Sequence, residues 1–192
     1  MKKILSFVLL SIFGYGATFA QATRLDSLLQ LLPSAKVDTS AVLLYIDLGE
    51  YYWKSGDLQS SAAYHLKAQA ISRELNYLHG LFYSSDYYSF ILNRQGLYDS
   101  AIAVNREMLE VAIRHSDVYQ AAIEKENIGA GYLNKGFNET ALAYCMESLG
   151  YFEKNNYWEE AGELYNLIQA AYTRMGRYEE AVPYGEKALA LI

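Results

Sequence analysis

The stretch Asn134-Lys135-Gly136-Phe137-Asn138 decides the fold, because three related stretches occur elsewhere in the chain. They are Lys54-Ser55-Gly56-Asp57-Leu58, Arg94-Gln95-Gly96-Leu97-Tyr98 and Arg174-Met175-Gly176-Arg177-Tyr178. The central glycines of the four stretches stand 40 residues apart. Self-similarity at a fixed period of this length is typical of proteins built from repeated structural units.

Three further columns of residues keep the same period. A small residue follows each glycine by five positions: Ser61, Ala101, Ala141 and Ala181. A large residue precedes each glycine by four positions: Tyr52, Leu92, Tyr132 and Tyr172. Apolar residues recur eight positions before it: Leu48, Tyr88, Ile128 and Ile168. Columns that stay in register over four copies indicate a genuine structural repeat.

Each copy predicts two helices that are joined by a turn at the glycine. Glycine adopts the left-handed conformation that ends a helix at little energetic cost. Basic residues in the last turn of the first helix suit its negative end: Lys54, Arg94, Lys135 and Arg174. Acidic residues near the start of the second helix suit its positive end: Asp57, Asp99, Glu139, Glu179 and Glu180. One hairpin cannot bury both of its faces, so the copies must stack on one another.

These signals place helices along most of the chain. First helices are predicted near 41–55, 79–95, 118–135 and 158–175, and second helices near 58–74, 98–114, 138–153 and 178–192. The repeat array therefore spans 41–192, with units at about 41–75, 78–115, 118–155 and 158–192. Residues 23–40 are predicted to form an N-terminal cap helix, stopped by Pro33, and a linker.

The repeat resembles the tetratricopeptide repeat. That family places small residues where the two helices cross, an aromatic residue or leucine before the turn, and a glycine at the turn. The small positions here include Gly49, Gly129, Ala68 and Ala188. The resemblance covers about 41–192 and implies an all-α, right-handed α-solenoid of four helix hairpins plus an N-terminal half-repeat. It is specific for the fold and weak for the function.

Two departures from the family pattern concern length and packing. The usual unit has ~34 residues, whereas this one has 40. Gln169 and Met108 occupy positions that are small in the other copies, so looser helix crossings are expected there. The abundant tyrosines fall mostly in repeat columns, which favours a role in the core.

The first twenty residues differ from the rest in composition. A basic start at Lys2 and Lys3 precedes an apolar run and small residues, and this order is typical of a secretory signal peptide over 1–20, cleaved after Ala20 or Ala22. Removing the two lysines changes the net charge from −6 to −8. The sequence therefore predicts an exported protein, periplasmic or extracellular, that repels nucleic acid.

No stretch of the sequence carries a catalytic, cofactor-binding or metal-binding motif. The three histidines, His65, His79 and His115, have no cysteine or second histidine at ligand spacing. Cys145 is the only cysteine, which excludes an internal disulfide, and we interpret it as a buried structural thiol. The sequence predicts no enzymatic activity, no cofactor and no metal. An enzyme with an unrecognised site stays a third interpretation.

The inner face of the first helices is the predicted binding surface. In this architecture such helices line a groove, and aromatic anchors with a polar surround are typical of binding hot spots. The predicted groove residues are Asp47, Glu50, Tyr83, Asp86, Tyr87, Phe90, Asn127, Asn134 and Arg174. The basic set with which some family members bind a carboxylate is not reproduced, so a neutral to basic protein or peptide partner is expected.

Lengthened arrays behind a signal peptide resemble the extracytoplasmic input regions of bacterial sensor kinases and membrane-bound transcription regulators. We therefore expect a protein-binding scaffold in the input region of an envelope signal-transduction protein. The alternative is a self-contained periplasmic or secreted adaptor. Contact with a membrane is expected only through a region beyond Ile192. Leu189, Leu191 and Ile192 lack a polar capping helix, which makes self-association through the last helix a further expectation.

Overall fold

Helices make up the regular secondary structure of the residues that the computed structural model describes, which are 24–34 and 36–191. Helix α1 covers 24–31, and a 3-10 helix, Leu32–Ser34, follows it. The others are α2 (Thr39–Ser55), α3 (Leu58–Leu75), α4 (Leu78–Arg94), α5 (Tyr98–Arg114), α6 (Val118–Lys135), α7 (Asn138–Asn155), α8 (Trp158–Arg174) and α9 (Tyr178–Leu189). The predicted all-α fold is confirmed. None of these described helices has both the length and the apolar character needed to cross a membrane. The predicted signal peptide, 1–20, lies outside the described residues.

The four repeat glycines end the first helices as predicted. Their φ angles are 84°, 76°, 89° and 74° for Gly56, Gly96, Gly136 and Gly176, all in the left-handed region. In each hairpin the N–H after the glycine donates to the carbonyl of the large residue four positions before it. These 2.9 Å bonds are Asp57 to Tyr52, Leu97 to Leu92, Phe137 to Tyr132 and Arg177 to Tyr172. The bond satisfies a carbonyl that the helix itself leaves without a donor.

The joints between hairpins use the same backbone conformation. Asn76, Ser116 and Asn156 have φ angles of 52°, 56° and 60°. Asparagine tolerates this region better than most residues, which explains its presence at two of the three joints. The following helix then starts from an aspartate cap at one of them, where the Asp117 side chain accepts a 2.9 Å hydrogen bond from the Gln120 N–H.

Two compact units divide the chain, and the division falls inside α4. The first unit ends at Ser84 and the second begins at Ser85. In the first, α2 packs on α3 around Val42, Ile46 and Ala68. In the second, each helix from α5 to α9 packs on the next, and α6 also contacts α8. The core of the second unit includes Cys145, Leu149, Phe152, Leu164 and Ile168.

Helix crossings bring a glycine against a larger side chain. A Cβ atom on Gly49 would lie 2.5 Å from the His65 ring, and one on Gly129 would lie 2.6 Å from the Cys145 Sγ. In the last hairpin the glycine is on the other helix, because a Cβ on Gly185 would lie 2.5 Å from Gln169. The expectation of a looser crossing at Gln169 is therefore wrong, since the second helix contributes the small residue.

Tyrosine pairs repeat along the hairpins. Three of the large residues before the turn stack on a tyrosine of the second helix, with ring centroids 5.4 Å, 5.9 Å and 5.8 Å apart: Tyr52 with Tyr64, Tyr132 with Tyr144, and Tyr172 with Tyr184. Their spacing falls in the range of favourable ring contacts. These rings are half-buried, and they join the two helices of a hairpin.

The cysteine is a packing group, as predicted. Cys145 is 1% exposed and lies in the core of the second unit. Burial, followed by the nearby charge of Glu126, raises the pKa of its thiol to about 12. The thiol therefore stays neutral and unreactive near neutral pH.

Candidate functional site

Three of the predicted groove residues lie in the first unit. Asp47, Glu50 and Tyr83 are half-buried. The Tyr83 hydroxyl donates to Glu50, and the Lys54 Nζ donates to it at 3.1 Å. Burial opposes ionisation of Glu50, but these two hydrogen bonds outweigh it and lower the pKa of the carboxyl. Glu50 is therefore ionised, and Lys54 already balances its charge.

In the second unit the structure places three predicted residues around one cavity. Phe90 on α4, with Asn127 and Asn134 on α6, line a cavity of about 320 Å³. The remaining lining residues are Ser89, Asn93, Glu126, Ala130, Glu163, Asn166 and Leu167. Phe90 is 53% exposed, so it presents a large apolar surface at the edge of this cavity.

The other predicted residues of the second unit lie outside the cavity lining. Asp86 accepts a 3.1 Å hydrogen bond from Asn127. Tyr87 is half-buried on α4. The Arg174 guanidinium donates to the Leu133 carbonyl, so it is bonded to the backbone of α6.

Two buried carboxyl groups beside the cavity were missed by the sequence prediction. Glu124 is fully buried and Glu126 is 7% exposed, and both lie on α6. A column of the repeat could have pointed to Glu126: it stands ten positions before its glycine, as do Asp86 and Asn166 in their own copies. Three successive polar residues at one repeat position mark one face of the first helices.

The buried Glu124 and the half-buried Asp86 form a carboxyl pair. Burial raises the pKa of both groups, and the charge of Asp86 raises that of Glu124 further. Glu124 Oε1 accepts a 2.9 Å hydrogen bond from the Gln120 amide, while its buried Oε2 meets no protein donor. The two carboxyl groups also interact with each other, and burial favours the protonated form of both.

Glu126 has a different environment inside the cavity. Burial, followed by repulsion from Glu163, raises the pKa of its carboxyl to about 8. No lysine or arginine of the described residues lies in the cavity lining. No group of three or more metal-ligating side chains converges anywhere in the described part of the chain. The cavity therefore offers hydrogen-bond acceptors and an unbalanced acid, with an aromatic ring at its edge.

Known proteins with a similar sequence or structure contain helical-hairpin repeats. The tetratricopeptide-repeat family model matches residues 170–192. No curated protein gives a significant sequence match. Among solved structures, aspartyl phosphate phosphatase F from Bacillus subtilis is similar over 90% of this chain and 49% of its own, with a TM-score of 0.77 and 19% identity.

Two further solved structures show the same fold. A Rap protein complexed with Competence and Sporulation Factor matches 80% of this chain and 43% of its own, with a TM-score of 0.71 and 18% identity. The nearly identical TPR-like repeats of a Podosopora anserina kinesin light chain match 92% of this chain and 89% of their own, at a TM-score of 0.71 and 14% identity. The chain thus spans about half the length of the phosphatase and the Rap protein.

The hairpins, their glycine turns and these neighbours define a helical-hairpin repeat protein. The fold is similar to that of tetratricopeptide-like repeats, and the tetratricopeptide-repeat family model matches the end of the array.

Proposed function

We propose that the chain is a scaffold that binds a protein or peptide through the first helices of its repeats. The observation that carries this proposal is the cavity of about 320 Å³ beside the exposed ring of Phe90. An aromatic residue next to a cavity that also holds polar groups is the kind of surface that concentrates binding energy. A protein of similar fold has been solved in complex with Competence and Sporulation Factor, which supports a binding role.

The test is a double substitution at the edge of the cavity. Tyr87→Ala with Phe90→Ala is expected to abolish binding to peptides that an array of random dodecapeptides selects, because it removes the aromatic anchor. Ile113→Ala is the matched control, since Ile113 is an apolar residue on α5 that is 62% exposed and outside the cavity lining. Circular dichroism should stay helical for all variants. A loss of helicity would show that the two rings belong to the core, and unchanged binding would refute the proposal.

We also propose that the scaffold works outside the cytoplasm, in the input region of an envelope signal-transduction protein. The composition of residues 1–20 supports export. A self-contained periplasmic or secreted adaptor is the alternative, and an output domain encoded beyond Ile192 would decide between them.

A fusion of 1–22 to a phosphatase that is active only after export is expected to show activity. The control joins the chain from residue 24 onward to the same phosphatase, and it should be inactive. Equal activity of the two fusions would argue against export.

A further inference from the structure

One carboxyl group in the cavity is buried without a donor to balance it. Glu126 is 7% exposed and lines the cavity. No amide, hydroxyl or basic side chain of the described residues donates a hydrogen bond to it, and the polar group that faces it is another carboxyl, Glu163. Burial of an acid in this way costs free energy unless a partner restores the lost interactions.

The rest of the lining points to the chemistry of that partner. The Asn93 Oδ1 is buried and meets no donor. The amide groups of Asn127, Asn134 and Asn166 add further acceptor oxygens, while none of the described lysines and arginines lines the cavity. The apolar part of the lining, which includes Ala130 and Leu167, can cover the methylene stem of a cationic side chain. A group with several N–H donors and a positive charge fits all of these features.

We infer that this cavity receives the lysine or arginine side chain of a partner peptide, with Glu126 as its counter-charge. The inference rests on the proposed peptide-binding function and specifies its ligand. On binding, an N–H···O ion pair forms at Glu126, and the proton that its buried carboxyl holds in the free chain leaves for solvent. The acceptor oxygens of the asparagines complete the coordination of the cationic head. An anionic side chain is excluded, because Glu160 and Glu163 also face Glu126.

The binding equilibrium is expected to depend on pH. The titratable groups around Glu126 are Asp86 on α4, Tyr119 on α6, Cys145 on α7, and Glu160 and Glu163 on α8. Because the cation binds the carboxylate and the free site holds a proton, affinity should rise as the pH rises from about 6 to about 8.

The experiment is a titration of the chain followed by amide chemical shifts. The probe is N-acetyl-lysine amide, in which the ammonium group is the only charge, and N-acetyl-glutamine amide is its neutral match. The lysine probe is expected to shift the signals of residues that line the cavity. Glu126→Gln should raise its Kd by roughly tenfold or more, because the counter-charge is removed. Glutamine has the shape of the protonated acid, so the variant should fold. The control is Glu110→Gln, which removes a charge of the same sign from an exposed position on α5 and should leave the Kd unchanged.

The possible outcomes separate this inference from the broader one. Equal Kd values for Glu126→Gln and the unaltered chain would overturn it, as would equal binding of the two probes or the displacement of the lysine probe by calcium. If array peptides bind through Phe90 without any preference for lysine or arginine, this inference fails while the proposed scaffold function stands. If the lysine probe binds through Glu126 but no peptide binds, the cationic site stands and the scaffold function fails.

Discussion

Single glycines set how closely the two helices of a hairpin approach. Gly129 faces the Cys145 Sγ, and Gly49 faces the His65 ring, so in these hairpins the glycine lies on the first helix. The last hairpin reverses the arrangement with Gly185 facing Gln169. Each of these crossings thus pairs a glycine with a larger side chain, while the helix that supplies the glycine changes. A close-packed interior tolerates such exchanges better than a net gain in volume.

A substitution at one of these glycines should be destabilising in proportion to the space it fills. Gly129→Val is expected to lower the free energy of unfolding by ~1–3 kcal/mol, because its side chain overlaps the Cys145 Sγ. Adding Cys145→Ala should recover part of the loss. The control is Gly150→Ala on α7, where a Cβ meets no atom within 4 Å. There alanine should stabilise the helix by ~0.5–1 kcal/mol. Urea denaturation measures all of these variants, and a neutral Gly129→Val would show that the crossing relaxes.

The helices of a hairpin are also joined by pairs that vary from copy to copy. In the first and last hairpins a lysine lies over a tyrosine of the first helix: Lys67 is 5.7 Å from the ring centre of Tyr45, and Lys187 is 5.0 Å from that of Tyr165. In the third hairpin the corresponding positions hold Lys125 and Glu147, which form a 2.8 Å ion pair. Loss of the aromatic residue at 125 is therefore accompanied by a matching change on the second helix.

The course of these helices could be predicted from the sequence, because local chemistry determines it. The glycine turns and the capping acids each act within a few residues, so first helices predicted near 79–95 and 118–135 are observed at Leu78–Arg94 and Val118–Lys135. The exchange between Gln169 and Gly185 could not be predicted, because it depends on which side chains meet across a crossing. Burial of Glu126 was missed for the same reason, since hydrophobic periodicity places a glutamate on the solvent side.

For the molecule as a whole, buried acids and a buried histidine oppose one another in the pH dependence of stability. Burial lowers the pKa of His65 to about 4, against the opposing charge of Glu50, so the folded chain holds this ring neutral. The stability that neutral His65 contributes is lost as the pH falls from 6.5, the pKa of the ring in the unfolded chain, towards 4. The carboxyl groups of Glu124, Glu126 and Asp86, whose pKa values are raised, act in the opposite direction, because the folded chain holds more protons on them than the unfolded chain.

Stability is therefore expected to fall as the pH rises from about 6.5 to about 8. For an acid whose pKa is raised on folding, the stabilisation is complete below the unfolded value of 4.5 and is lost up to the folded value, which for Glu126 is about 8. Each group that titrates fully can contribute about 1.4 kcal/mol per pH unit. Urea unfolding at several pH values measures the slope. Glu126→Gln and Glu124→Gln should each flatten it, because glutamine keeps the neutral form at every pH, whereas Glu110→Gln on the surface of α5 should not. A slope that stays the same in both buried variants would mean that these carboxyl groups ionise as readily in the folded chain as in the unfolded one.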